Sequence, residues 1–312
     1  MNRAEFLDYC KDVPQEELVA IARKYRDRAN SRVPEQMKVL FRTLDDATTC
    51  EEHFLETAAT EKLGTKSHIY VIKPADSTES MPVMINVHGG GWTMPHTERD
   101  IYFCRRIANR LKCLVIDIDY VLAPEYKYPA ALIEMEAIYD ELHTLIPQWG
   151  GDLNNIVICG QSAGGNLTAA VSQRKQYQPF PGLKAQILCY SPCDNYNDHF
   201  DGGELDDRGK NTEYYGFFYN RTYEERKNSD VSLVYATDED LAGIPATDFI
   251  IARIDNLVAE QEKYCRLLKD HGFPVTCRTF EKSKHGFIIN MYDEWQEGED
   301  YVAELLTKHF AE

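Results

Sequence analysis

The stretch that decides the fold is Asn155-Ile156-Val157-Ile158-Cys159-Gly160-Gln161-Ser162-Ala163-Gly164. An apolar run comes first, a serine between glycines follows, and a helix-compatible segment comes next. This order predicts a strand, a sharp turn and a helix, with Ser162 exposed at the turn. A serine at such a corner is a candidate nucleophile when a base lies beside it, and the pattern GxSxG alone is a weak signal.

A second glycine run strengthens that signal. His88-Gly89-Gly90-Gly91-Trp92 follows the strand-like segment 83–87. The bare amides of Gly89 and Gly90, with the amide of Ala163 after the serine, are candidate donors to an oxyanion. We interpret His88 as a residue that organises this loop. Such chemistry requires no metal and no organic cofactor.

Composition bounds the class of protein. The chain has 312 residues, 43% of them hydrophobic, which suits one large α/β domain. A formal net charge of −17 argues against nucleic acids and anionic membrane surfaces as partners. The start lacks the apolar core of a signal peptide, and no apolar run approaches the roughly 20 residues of a membrane span. We therefore expect a cytoplasmic protein, and we interpret its nine cysteines as unpaired core residues.

The order of predicted elements indicates the architecture. The first fifty residues are predicted to be helical, and strands are predicted at 52–58, 67–73 and 82–87, the first two antiparallel. Helices and strands then alternate, which is typical of a mostly parallel sheet covered by helices. The excursion 195–243 is too long for an ordinary connection and is predicted to be a lid. Within it Tyr215 and Phe218 have helical spacing toward one face, as core packing or as a substrate wall.

The position of strand ends selects the base. Ligands of open α/β sheets bind beyond the carboxyl ends of the strands. His-Gly-Phe occurs twice, and His285 follows the last predicted strand whereas His271 precedes it. We therefore predict His285 as the base and interpret His271 as the end of a helix.

The same rule selects the acid. Asp255 follows the strand-like segment 247–252, whereas Asp248 opens it. The order Ser162, Asp255, His285 is the order found in α/β-hydrolases. Asp194, which follows an earlier strand, remains the alternative acid.

Taken together, these motifs resemble the hormone-sensitive-lipase-like family of α/β-hydrolases. The resemblance covers most of the chain and includes the segments 88–92, 119–125, 128–131 and 160–166 with the surroundings of Asp255 and His285. It implies an α/β-hydrolase fold, with an eight-stranded, mostly parallel sheet in a single domain 1–312. It also implies a helical cap made of about 1–50 and about 195–243. Two departures from the family are Gln161, where an acidic residue is common, and Asp255-Asn256-Leu257, where Asp-Pro-Leu is frequent.

The activity that follows is hydrolysis of short-chain acyl esters, acetyl esters above all, through an acyl-enzyme. Two alternatives stay open: an amide hydrolase similar to arylformamidases, and a non-catalytic binder of small molecules. The sequence predicts a small-molecule ester as the partner and leaves a homodimer open, since an edge strand could pair with a second copy. Aromatic residues near the predicted site are expected to form the substrate pocket: Trp92, Tyr190, Tyr215, Phe218 and Phe287.

Overall fold

The computed structural model describes residues 1–30, 44–77, 80–174, 180, 182–197 and 204–312. Parts of the predicted cap, at 31–43 and 198–203, lie outside the described residues. Eight strands of the described chain form one sheet in the order β1-β2-β4-β3-β5-β6-β7-β8. The strands are β1 Thr48–Leu55, β2 Ser67–Pro74, β3 Met81–Val87, β4 Leu114–Asp119, β5 Gly151–Gln161, β6 Leu183–Cys189, β7 Ala246–Ile254 and β8 Val275–Lys284. Strand β2 is antiparallel to both of its neighbours, and the remaining pairs are parallel.

Helices connect these strands and cover both faces of the sheet. They are α1 Arg3–Lys11, α2 Gln15–Asn30, α3 Ala58–Leu63, α4 Glu98–Leu111, α5 Ala130–Gln148, α6 Ala163–Gln173, α7 Asp207–Tyr219, α8 Asp238–Leu241, α9 Val258–Asp270, α10 Phe287–Asn290 and α11 Trp295–Ala311. Two short 3₁₀ turns, Glu224–Lys227 and Leu233–Tyr235, follow α7. The α/β-hydrolase architecture predicted from the sequence is confirmed.

The central strands are apolar throughout because they are buried on both sides. Val83, Ile85 and Val87 of β3 pack with α5 and α6 in one core, whereas Met84 points into the opposite core with α4 and α11. This alternation has the period of two that strands impose. Because the pairs from β4 through β8 are all parallel, strands β3 to β8 end together at one edge of the sheet.

The predicted first strand is partly wrong. Strand β1 begins at Thr48 and ends at Leu55, and Ala58–Leu63 forms a helix instead of continuing the strand. The reason is local: the side chain of Thr57 accepts the amide of Thr60 at 3.1 Å, and a reciprocal bond completes a capping box. The antiparallel pairing of β1 with β2 is confirmed.

The expectation that all cysteines are unpaired is also wrong. Cys265 of α9 and Cys277 of β8, which lie 12 positions apart in sequence, form a disulfide. The chain reverses direction between α9 and β8, and this brings the two side chains together. Cysteines paired in this way need no CxxC spacing, so the sequence pattern does not reveal them. Six of the seven other cysteines are buried, in agreement with a role in core packing.

Three helices lie together above the carboxyl edge of the sheet, and we call α1, α2 and α7 the helical cover. Phe6 of α1 packs edge-on against Tyr214 of α7 at 4.8 Å between ring centroids. The hydroxyl of Tyr25 in α2 donates to Asn211 Oδ1 of α7 at 2.6 Å. Segments far apart in sequence therefore form one layer.

Candidate active site

Ser162 lies between the end of β5 and the start of α6, with φ 51° and ψ −120°. Its amide donates to the carbonyl of Cys189 at 2.8 Å, which fastens the turn to the neighbouring strand β6. Gly164 permits this turn to approach β3, because a Cβ there would lie 2.0 Å from the carbonyl oxygen of Val87. A non-glycine residue with positive φ at such a tight corner is typical of a functional site.

His285 and Asp255 meet Ser162 above this edge. Ser162 Oγ lies 2.8 Å from His285 Nε2, and His285 Nδ1 lies 2.7 Å from Asp255 Oδ2. The Asp255 side chain has no exposed surface, whereas the imidazole is 33% exposed and reaches the cavity. Ser162 and Asp255 lie 123 and 30 positions from His285 in sequence, and the three residues form a continuous hydrogen-bonded chain.

The alternative acid, Asp194, and the second histidine, His271, make other contacts. Asp194 is buried, accepts the amides of Tyr196 and Asn197 at 3.1 and 3.0 Å, and lies 3.6 Å from Lys263 Nζ. His271 ends α9, where its Nδ1 lies 2.7 Å from the carbonyl of Leu267. It lies before β8, at the opposite edge of the sheet from Ser162.

The glycine run follows β3 and lies against the nucleophile turn. A Cβ on Gly89 would lie 3.2 Å from Ser162 Cβ, so the backbone of Gly89 is a direct neighbour of the serine. Ala163 opens α6, where the first amides of a helix have no intrahelical acceptor. The segment bearing Gly89 and Gly90 and the amide of Ala163 therefore flank the same side chain.

His88 organises the start of this loop from below. Its ring stacks on Tyr120 at 4.3 Å between centroids, and the Tyr120 hydroxyl donates to the His88 carbonyl at 3.2 Å. The Nε2 atom of His88 lies 3.6 Å from an oxygen of Asp119. Buried polar contacts therefore set the direction in which the chain leaves β3.

The helical cover contacts the glycine loop directly. Gly91 has φ +59°, and a Cβ there would lie 2.5 Å from the ring of Tyr215 on α7. From α2, the guanidinium of Arg26 donates to the carbonyls of Thr93 and Ala123 at 2.8 and 2.7 Å. The loop is thus held between the sheet and the cover.

A cavity of about 490 Å³ opens over Ser162 and His285. Of the aromatic residues predicted to line it, Trp92, Tyr190 and Tyr215 do so. The prediction is wrong for Phe218 and Phe287, which are fully buried. Phe218 packs against the cover at Tyr25 and Tyr214, and Phe287 turns down from α10 toward Phe280, because each lies on the core side of its helix.

A buried charged cluster at the cavity wall escaped sequence reasoning. Glu213 of α7 accepts from Arg226 Nη1 at 2.7 Å and from Arg3 Nε of α1, and all three side chains are at most 7% exposed. Arg3, Glu213 and Arg226 all line the cavity. Isolated charges on a predicted helix are ordinarily solvated, so no local signal distinguishes these three.

A second buried pair lies below the glycine loop. His96 Nε2 lies 2.6 Å from Asp117 Oδ2, with side chains 4% and 0% exposed. Burial alone would lower the pKa of His96, but the carboxylates of Asp117, Asp100 and Asp119 together outweigh burial, and the pKa rises to about 9. The imidazole of His96 is therefore protonated at neutral pH.

The described residues contain neither a candidate metal site nor a candidate membrane-spanning helix. Within the described ranges, no group of three or more His, Cys, Asp or Glu side chains could hold a metal ion. No helix in the described part of the chain is both long and apolar enough to cross a membrane.

The sequence of this chain is similar to those of known alpha/beta hydrolases and esterases. A family model described as alpha/beta hydrolase fold matches residues 84–289. Esterase LipI of Mycobacterium tuberculosis is 28% identical over 216 residues, which are 66% of this chain and 66% of that protein. An arylesterase of Saccharolobus solfataricus is 28% identical over 231 residues, 70% of this chain and 72% of its own length. The chain thus spans slightly less than two thirds of the LipI relative.

A solved structure agrees over a longer region. The hyperthermophilic esterase from the archaeon Pyrobaculum calidifontis superposes with a TM-score of 0.78 at 23% identity, covering 92% of this chain and 93% of that one. At this identity the likeness shows the fold.

A serine at a strand-to-helix turn that is hydrogen-bonded to a histidine, and through it to a carboxylate, is typical of serine hydrolases. The chain belongs to the alpha/beta-hydrolase family, whose model matches residues 84–289.

Proposed function

We propose that this protein is a carboxylic-ester hydrolase that acts on short-chain acyl esters, acetyl esters above all, through an acyl-enzyme. The observation that carries the proposal is the unbroken chain of short contacts from Asp255 through His285 to Ser162 at the wall of a cavity. Two similar proteins, an esterase and an arylesterase, support ester chemistry.

In this proposal His285 removes the proton of Ser162, and the serine oxygen attacks the ester carbonyl. His285 then returns that proton to the departing alcohol, and a water molecule repeats the sequence on the acyl-enzyme. Asp255 holds the imidazole in the required tautomer and stabilises its cation. The buried position of Asp255 supports this role, because a carboxylate shielded from water acts strongly on its partner.

The amides of Gly89, Gly90 and Ala163 would receive the negative charge that develops on the carbonyl oxygen. Their position around Ser162 supports this role, and each such donor is typically worth about 2.7 to 4 kcal/mol in the transition state. The His88 and Tyr120 contacts below the loop fix the backbone, so that the donors need no reorganisation.

The cavity supports a small substrate. Its volume of about 490 Å³ is near the lower end of the roughly 300 to 1,000 Å³ that drug-sized ligands occupy. Tyr215 and Trp92 limit the space beside the glycine loop. We propose that the helical cover, with the segments at about 1–50 and about 195–243, is the cap that sets this limit. A cytoplasmic location and a homodimer stay predictions from the sequence.

The test is a series of 4-nitrophenyl esters from acetate to decanoate, with a matched aryl formamide for the amide-hydrolase alternative. We expect the acetate or butyrate to have the highest kcat/KM, and Ser162→Ala to abolish turnover. Ser172→Ala, which removes a half-buried hydroxyl from the same helix, is the control that should leave turnover intact. Turnover that survives Ser162→Ala would disprove the nucleophile, and a maximum at decanoate or at the formamide would disprove the substrate class.

A further inference from the structure

Gln161, the residue before the nucleophile, has a side chain that no step of the proposed reaction uses. The side chain is 1% exposed, and its Oε1 accepts the hydroxyl of Tyr190 at 2.6 Å. On its other side the amide nitrogen lies 3.5 Å from Cys159 Sγ. A buried amide with a short hydrogen bond to one tyrosine fixes the position of that tyrosine.

Tyr190 is held in an unusual backbone conformation just after β6. Its φ is +40°, a region that non-glycine residues rarely occupy. Its amide donates to the carbonyl of Ile250 in β7 at 2.7 Å, and the preceding carbonyl, of Cys189, accepts the amide of Ser162 at 2.8 Å. Such a conformation persists when the surroundings over-determine it, and here the bonds run to the strands that carry Ser162 and Asp255.

The ring of Tyr190 meets the base. Its centroid lies 5.4 Å from that of His285 with an interplanar angle of 65°, and 5.7 Å from that of Phe287 at 60°. Edge-to-face contacts of this kind have a preferred geometry, so a fixed tyrosine restricts the orientation of the imidazole. Asp255 holds the same imidazole through Nδ1, which leaves rotation about that hydrogen bond for Tyr190 to limit.

We propose that Gln161 is a positioning residue that acts through Tyr190 to hold His285 in line with Ser162. This proposal rests on the proposed function, since it concerns the orientation of the base in that reaction. The amide of Gln161 supplies the acceptor that Tyr190 needs and adds no charge beside the base.

The neutral side chain of Gln161 matters because several ionisable groups surround the site. Those that face His285 or its partners come from several elements: Asp255, Tyr190, Tyr292, Glu260, Cys159 and Cys189. Burial raises the pKa values of Tyr190, Cys189 and Glu260 well above their usual ranges, so the tyrosine and the cysteine are neutral at pH 7. A carboxylate at position 161 would join Asp255 in favouring the imidazolium.

The first test breaks the hydrogen bond from the tyrosine side. Tyr190→Phe keeps the ring and removes the donor, and we expect kcat for 4-nitrophenyl acetate to fall about three- to tenfold with KM nearly unchanged. The chain offers a matched control, because Gln173 Nε2 donates to the hydroxyl of Tyr264 at 2.6 Å in another buried Gln–Tyr pair. Tyr264→Phe should lower the free energy of unfolding about as much as Tyr190→Phe does, and it should leave kcat unchanged. An equal loss of kcat in both variants would overturn the proposal.

The second test asks whether Gln161 acts through Tyr190. Gln161→Ala should reduce kcat as much as Tyr190→Phe does, and the double variant should lose no more than either single one. Multiplied losses in the double variant would overturn the proposal. Gln161→Glu, unlike Gln161→Ala, offers Tyr190 an acceptor and should recover the parent kcat at alkaline pH. Its charge should move the acid limb of the kcat/KM profile at least about half a pH unit higher. An acid limb that does not move would also overturn it.

A burst measurement separates this proposal from the proposed function. With a reactive nitrophenyl ester, the burst amplitude counts acylated Ser162 and corrects each rate for the folded fraction. We expect a full burst in every variant with a slower rate in those that lose the Gln161 to Tyr190 bond. If neither the parent protein nor any variant gives a burst, no acyl-enzyme accumulates and the proposed function is wrong. Full bursts with unchanged rates would overturn the positioning role alone.

Discussion

The sheet edge around Ser162 and the helical cover above it are held together in different ways. At the edge, backbone atoms touch backbone atoms, as where Gly164 approaches the carbonyl of Val87. In the cover, long side chains bridge segments far apart in sequence, as where Arg3 and Arg226 share Glu213. The edge holds Ser162 through close backbone contacts, whereas side chains of the cover line the cavity above it. Changes at the edge should therefore act on kcat or on folding, and changes in the cover on stability and KM.

The largest effect is expected at Asp255, whose loss would break the chain of contacts at the edge. Asp255→Asn should reduce kcat about 10⁴-fold, since an asparagine favours the wrong imidazole tautomer. Asp194→Asn is the matched control, because that carboxylate is also buried and itself lines the cavity. We expect its kcat to stay within about tenfold of the parent. The reverse ranking, measured by steady-state kinetics, would transfer the role of the acid to Asp194.

The next effect tests the close backbone approach. Gly164→Ala places a methyl group 2.0 Å from a carbonyl oxygen that cannot move without shifting β3. We expect a loss of more than about 3 kcal/mol of stability and no measurable activity. Gly272→Ala is the control, with φ +80° and open space around the Cβ, and should cost only about 1 kcal/mol. Similar urea midpoints for the two variants would show that the edge is less tightly packed than we infer.

A smaller effect concerns the buried pair of His96 and Asp117, below the edge. The folded-state pKa of His96, about 9, exceeds its unfolded value of about 6.5, so the stabilisation is complete below pH 6.5 and is lost as pH rises through 9. The stability difference between the parent and His96→Gln should be on the order of 2 to 3 kcal/mol at pH 6 and should shrink toward pH 9.5. Urea unfolding across this range measures it.

Other groups titrate in the same interval, and the comparison of two proteins removes their contribution. Burial raises the pKa of Glu134 to about 7 and lowers that of Lys127 to about 8. Both groups are present in the parent and in the variant. A stability difference that is constant with pH would therefore contradict the ionic state of His96.

The smallest effect is expected in the cover. Arg3→Met removes one of the two guanidiniums from Glu213, and we expect a loss of about 2 kcal/mol, because Arg226 still compensates the carboxylate. KM should rise and kcat should change little. Lys11→Met in the same helix breaks an exposed pair with Asp8 and should stay within about 0.5 kcal/mol of the parent. A fall in kcat at constant KM would show that the cover and the edge are not separate in function.

How far the sequence predicts each region follows from the same difference. That Ser162, Asp255 and His285 lie together could be predicted because each follows a strand, and parallel strands end at one edge. The rule also excluded His271, which lies at the other end of β8. It could not predict that Phe218 and Phe287 turn into the core, because that depends on the rotation of short helices that only packing decides.

The cover could be predicted as helical but not in its contacts. Tyr215 was one of several aromatic residues with helical spacing, and nothing in the pattern indicates that its ring lies on Gly91. The hydrogen bond between Gln161 and Tyr190 likewise could not be predicted from the sequence, because the partners lie 29 positions apart. The disulfide between Cys265 and Cys277 likewise depends on how the chain reverses between α9 and β8.

The sequence by itself therefore determined the order of strands and helices, the nucleophile turn, the glycine loop, and the strand ends at which an acid and a base would lie. These are consequences of local periodicity and of the common direction of parallel strands. Only the tertiary structure decided which side chains meet: the hydrogen bonds from Ser162 through His285 to Asp255, the buried charges of the cover, and the tyrosine ring beside His285. Contacts between distant segments depend on the directions of side chains and on what the rest of the core leaves room for, and neither is written in any single stretch of residues.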